Sequence, residues 1–137
     1  MKLSKEIEAK IVAILQKEIP SLQAIYLFGS YANGFVNQES DIDIAFLSSS
    51  KIDTLKRWNI ANLLARELLI DVDLINLQEA NTVFRFEIIS QGKRIYGSGF
   101  EVEQFEMLSY SFYVRLQEER KEIIENILEK RTVLGDK

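Results

Sequence analysis

The segments Ile25-Tyr26-Leu27-Phe28-Gly29-Ser30 and, after ten intervening residues, Asp41-Ile42-Asp43-Ile44-Ala45-Phe46-Leu47 decide how this chain folds. Leu22 to Phe28 is a short apolar run rich in β-formers and reads as a buried strand that Gly29-Ser30 terminates. Tyr31 to Ser40 is polar, contains Asn33-Gly34 and reads as a loop. Asp41 to Leu47 is a second strand, and the period of two puts Asp41 and Asp43 on one face with Ile42 and Ile44 on the other. Two carboxylates therefore stand side by side inside an apolar stretch, where an unpaired charge is costly.

Outward from this centre, helices alternate with strands. Ile7, Ile11, Val12, Ile14 and Leu15 form a helical stripe over Ser4–Lys17, with Ser4 as candidate N-cap and Pro20 closing the element. Asp53 caps a helix to about Leu69, whose buried side carries Ile60, Leu63, Leu64 and Leu68; Leu55 and Trp58 fall off that stripe and are expected to pack separately. Ile70 to Leu77 reads as a third strand with Asp71 and Asp73 on a common face. A helix from about Glu79 stops at Gly92, a candidate C′ glycine. Arg94-Ile95-Tyr96 is strand-like, and one long amphipathic helix is expected from Phe100 to Arg131. This pattern defines an α/β (α+β) domain.

Composition bounds the chemistry. At 137 residues, with 47% apolar and 28% charged side chains, the chain is one soluble globule with a real core. It has neither histidine nor cysteine, which excludes imidazole bases, thiol nucleophiles, disulfides and His- or Cys-ligated metals. Acid–base or metal chemistry then falls to carboxylates, Lys, Tyr and hydroxyls, the groups that suit a hard cation such as Mg²⁺. The net charge of −4 argues against a broad nucleic-acid surface. Met1 to Glu6 lead into a charged helical pattern, not a signal-peptide core, and no apolar run approaches the ~18 residues of a membrane span, so a cytoplasmic protein is expected.

The Gly29-Ser30 turn can offer backbone N–H groups and a hydroxyl to phosphate. Asp41 and Asp43 are placed to share divalent cations, and a third carboxylate from the Asp71/Asp73 strand joins them if the strands are neighbours. Such a set neutralises a triphosphate and activates an acceptor hydroxyl. An EF-hand fails because Ala45 and Phe46 stand where an oxygen ligand and the turn glycine are needed, and no P-loop sequence is present.

Gly29-Ser30, ten residues, then Asp41-Ile42-Asp43 resembles the Gly-Ser-x10-Asp-x-Asp signature of the DNA polymerase beta-like nucleotidyltransferases, in particular the minimal nucleotidyltransferases (MNT). Val72-Asp73-Leu74 resembles the third-strand motif of that family and favours Asp73 over Asp71. The resemblance spans about Ile7 to Tyr96. It implies a polymerase beta-like palm, a small mixed sheet flanked by helices: a nucleotidyltransferase domain over residues 1–98, with an amphipathic helix over 99–137 belonging to the same domain. It further implies that Asp41, Asp43 and Asp73 are catalytic and hold Mg²⁺, two ions in all, that Gly29 and Ser30 bind the nucleotide, and that ATP is the substrate. With its long last helix the chain resembles the antitoxins of MNT–HEPN toxin–antitoxin pairs, which transfer AMP to a tyrosine of a HEPN ribonuclease. The Arg-x4-6-His motif of the toxin requires histidine, so this chain corresponds to the antitoxin.

One departure stands out. The 31–40 loop holds no Arg or Lys, so basic help for the triphosphate must come from Lys51, Arg57 or a partner, and weak ATP binding by the isolated chain is expected. Phe105, Leu108, Phe112, Leu116, Ile123 and Ile127 recur at helical spacing on the last helix, either capping the domain's own core or docking a toxin or second copy. That helix, about 32 residues and ~48 Å, exceeds what so small a domain can cover. The alternatives to protein adenylylation are an antitoxin acting by steric binding alone and nucleotide transfer to a small molecule.

Overall fold

The computed structural model describes residues 4–29 and 41–135, with side chains through Arg131. Ser30 and the 31–40 loop lie outside the described residues. The elements are helix α1 (Lys5–Glu18), strands β1 (Leu22–Phe28) and β2 (Ile42–Ser48), helix α2 (Thr54–Leu68), strand β3 (Val72–Asn76), helix α3 (Thr82–Gln91), strand β4 (Lys93–Tyr96) and helix α4 (Phe100–Gly135). The strands form one mixed sheet in the order β3-β2-β1-β4. β1 runs antiparallel to β2 and β4, while β2 and β3 are parallel, joined across α2.

Local chemistry sets the helix starts. Ser4 Oγ accepts from Ile7 N–H (3.2 Å), Asp53 Oδ1 from Lys56 N–H (2.7 Å) and Asn81 Oδ1 from Phe84 N–H (2.8 Å). These side chains satisfy donors that the first turn leaves unpaired. The Asn81 cap corrects the expected start near Glu79: residues 77–81 form a turn, and α3 begins at Thr82. Gly92 is also corrected, because its φ of −78° and ψ of 168° are extended and not left-handed. Glycine is needed there for space, since an added Cβ would lie 2.8 Å from the Leu27 carbonyl oxygen. The left-handed helix end belongs instead to Leu69 (φ 58°, ψ 33°).

Each face of the sheet is covered. On one, Ile11 and Leu15 of α1 and Ile60 and Leu64 of α2 pack against Ile25, Leu27, Ile42, Ile44, Phe46 and Leu74. Each such burial contributes about 1.5–3 kcal/mol. On the other, Ile88 of α3 and Val102 of α4 cover Ala24, Tyr26, Ala45 and Leu47. Leu55 and Trp58 pack into neither core; they are 68% and 60% exposed. The second face holds Asp43 and Asp73, because Phe28 pairs with Asp43 and Asp43 with Asp73.

Candidate active site

Two strand pairings build the site. Asp43 is directly opposite Asp73 on the parallel neighbour β3 and opposite Phe28 on the antiparallel neighbour β1. Cross-strand partners share a face with Cβ atoms about 5 Å apart. Asp41 lies just ahead of β2, two residues from Asp43 and on the same side by alternation. The Ile42 N–H donates to the Asp71 carbonyl (2.9 Å), pinning the entries of β2 and β3 to one another. Asp71 serves here through its backbone, whereas Asp73 is the third carboxylate that meets the pair.

Gly29 completes the group. It follows β1 in a left-handed conformation, φ +69°, and an added Cβ would collide with the Asp43 carboxylate, with Cγ only 3.3 Å away. The glycine therefore brings bare backbone against Asp43, into space that a side chain would have filled.

The electrostatics follow from this crowding. Asp43 is half-buried, and its carboxyl is pushed above the ordinary aspartate range, first by desolvation and then by the charges of Asp73 and Asp41. Three acidic groups thus act on one another at one end of the sheet. Among the described residues no group of three such side chains is arranged to hold a metal ion. Oxygen donors, mutual repulsion and partial exposure together fit a hard divalent cation.

The two expected sources of positive charge are not equivalent. Lys51 follows the far end of β2, opposite to the end where Asp41 enters, so the strand separates it from the carboxylates. Arg57 of α2 reaches round the sheet edge, where its Nη1 donates to the Leu74 carbonyl (3.0 Å). Together with Ile75, Asn76 and Phe84 it lines a cavity of about 310 Å³, one strand repeat beyond Asp73. The cation that residue patterns missed is Arg94, paired with Tyr26 and hence on the carboxylate face. It donates to Glu106 Oε1 (3.0 Å), which also accepts from the Tyr26 hydroxyl (2.6 Å). Burial first, then this hydrogen bond and the Glu106 charge, push the Tyr26 hydroxyl well above the usual tyrosine range. A separate cavity of about 550 Å³, lined by Leu22, Gln23, Tyr96 and Glu101 among others, lies at the start of β1, away from the carboxylates.

A glycine turn facing paired aspartates on a four-stranded mixed sheet is the palm of a nucleotide-transferring fold. The chain belongs to the polymerase beta nucleotidyltransferase family, whose model matches residues 9–101. It is 43% identical over 121 residues to the protein adenylyltransferase MntA of Shewanella oneidensis, covering 88% of this chain and 87% of that one. Its structure resembles a chain in a crystal structure of a toxin–antitoxin with AMP-PNP, with a TM-score of 0.80, 43% identity and coverage of 88% and 98%. It also resembles a chain in the complex of tri-AMPylated Shewanella oneidensis HEPN toxin with MNT antitoxin, with a TM-score of 0.77, 40% identity and coverage of 92% and 99%.

Proposed function

We propose that this chain is an antitoxin that transfers AMP from ATP to a tyrosine hydroxyl of a HEPN-type toxin and so silences it. The observation that carries the chemistry is the register Phe28–Asp43–Asp73, with Gly29 packed on Asp43. The named relatives supply substrate and partner class by similarity. The cytoplasm, where ATP is plentiful, is the compartment this reading requires; among the described residues no helix is long and apolar enough to cross a membrane.

In this reading Gly29 and Ser30 hold the triphosphate, and Asp41, Asp43 and Asp73 hold Mg²⁺. The metal supplies charge neutralisation of the triphosphate and a lowered pKa for the acceptor oxygen. Asp73, on the outer strand, accepts the proton of the tyrosine hydroxyl as its oxygen forms a bond to the α-phosphorus. The bond to the pyrophosphate leaving group breaks on the opposite side, and Asp41 and Asp43 orient that phosphorus for in-line attack. Arg94, already bound by Glu106, leaves the triphosphate without a free basic side chain from the described strands, which supports weak ATP binding by the chain alone.

The test is intact-mass spectrometry of a co-purified HEPN partner with ATP and Mg²⁺. Increments of one AMP each are expected, and Asp43→Asn is expected to abolish them while complex formation persists. Neutralisation that survives Asp43→Asn would replace this reading with steric occlusion.

A further inference from the structure

We propose that the cavity at the outer edge of β3 is an adenosine subsite, which holds a base and its ribose beside Asp73. This rests on the adenylyltransferase reading and adds to it the residues that recognise the nucleoside.

Position comes first. Ile75, which lines the cavity, follows Asp73 by two residues, so the two share a face about 7 Å apart. Phe84 lines it as well, and its ring stands edge-on to Phe28 with centroids 5.7 Å apart. Phe28 in turn pairs with Asp43. The cavity thus adjoins the carboxylates along β3 and across the Phe28–Phe84 pair. A nucleotide whose phosphate lies over Asp43 and Asp73 has its base within reach of it. At about 310 Å³ the space is at the small end of the range for ligand sites, about 300–1,000 Å³. A base with its ribose fits there, and a folded protein segment does not.

The lining offers three polar groups with unused bonding capacity. Asn76 is only 6% exposed, and its Oδ1 accepts from the Gln78 N–H (3.1 Å). No hydrogen bond among the described residues engages its Nδ2. No fully buried side-chain nitrogen or oxygen among them lacks a partner, so this amide nitrogen keeps its exposure towards the cavity. Arg57 engages only Nη1, on the Leu74 carbonyl (3.0 Å), and leaves the rest of its fork free. Glu79 lines the same cavity, yet forms no salt bridge with Arg57 among the described residues. Two opposite charges held apart in one cavity leave room for a ligand between them.

The wall is built in advance. Arg85 donates to the carbonyls of Leu77, Gln78 and Ala80 at 3.0, 3.1 and 3.2 Å, which fixes the turn that carries Glu79. An apolar ligand would leave all three polar groups unsatisfied, and an anion would face Glu79. Adenosine answers each of them without charge. Its ring stacks on Phe84 and the Arg57 guanidinium, its amino group donates to Glu79, and a ring nitrogen accepts from Asn76.

The experiment uses the full chain with Ala80→Leu, which fills the cavity, and Asn76→Leu, which removes the amide at similar shape. Circular dichroism verifies that each variant is folded. Adenosine binding is followed by saturation-transfer NMR, and inorganic tripolyphosphate with Mg²⁺ by phosphorus line broadening. The parent is expected to bind adenosine at millimolar concentration and each variant at least tenfold more weakly, with tripolyphosphate bound by all three alike. No adenosine binding by the parent, or full binding by a folded variant, overturns the proposal. So does an equal loss of tripolyphosphate, which marks a general disturbance of the site. Intact mass of the HEPN partner at limiting ATP separates the two sources of adenosine. Loss from the first AMP onward assigns the cavity to ATP, and loss confined to a second AMP assigns it to one already on the acceptor. Unaltered modification by a variant that no longer binds adenosine overturns the proposal. A parent that binds adenosine in the cavity yet transfers no AMP fails the adenylyltransferase reading and leaves the subsite standing.

Discussion

Gly29→Ala tests the contact on which the site is built. At φ +69° an alanine incurs the left-handed penalty, about 1–2 kcal/mol. Its methyl would also meet the Asp43 carboxylate, with Cγ at 3.3 Å and Cβ at 3.6 Å, against an ordinary carbon contact of about 3.5–4.0 Å. Asp43 cannot simply swing away, because Asp73 is directly across the strand boundary and Asp41 flanks it. The carboxylate must shift by roughly 1 Å, a displacement that can cost on the order of 100-fold in rate. Strain and displacement together should lower stability by about 1–3 kcal/mol. For a chain of this size that is a fall of roughly 3–5 °C in Tm per kcal/mol. Gly99→Ala is the control, since its φ of +103° is also positive but an added Cβ meets nothing within 4 Å. Calorimetry and AMP transfer should therefore show both variants less stable and only Gly29→Ala impaired in catalysis. A Gly29→Ala chain as active as the parent would refute the claim that the close approach of Gly29 to Asp43 matters to the reaction.

Three further outcomes are expected. Asn substitutions at Asp41, Asp43 or Asp73 should each reduce AMP transfer by at least about 100-fold with circular dichroism unchanged; an active Asp73→Asn chain would remove that residue from the proton-transfer role. In metal-free buffer, Asp43→Asn should raise the melting temperature at neutral pH. The folded-state pKa of Asp43 is raised, so its protonated form favours folding; that contribution is present in acid and lost as pH rises through the shifted value. Melting curves from pH 4 to 8 should accordingly show the parent losing more stability than the variant. Tyr26→Phe should cost about 1.5–3 kcal/mol in urea unfolding, the range for a hydrogen bond to a charged group, because it removes one of the two donors to Glu106 that tie α4 to the sheet.

Much of the molecule was legible in residue order. β1 was placed at both ends, and the Ser4 and Asp53 caps were found, because apolar runs, period-two alternation and capping side chains are local signals. The departures were local contests with a tertiary outcome. Asn81 took the α3 cap because its side chain reaches the Phe84 N–H, and position 92 is glycine because the Ile88 and Leu27 carbonyls leave no room for a Cβ, not because a left-handed turn is needed. Trp58 and Leu55 lie on the open side of α2, since Ile60, Ala61, Leu64 and Leu68 are the residues of that helix turned to the core.

The sequence by itself determined the residue types that can act here: aspartates and a glycine turn, without imidazole or thiol, at a spacing that marks the family. The motif resemblance already favoured Asp73 over Asp71, but the physical reason that Asp73 confronts Asp43 is strand register, a long-range pairing that local pattern leaves free to slip. The tertiary structure alone decided that Arg94 shares the carboxylate face and is already bound to Glu106. Those relations depend on which elements lie side by side and which way they run, and the burial of two apolar faces sets that, not any one segment.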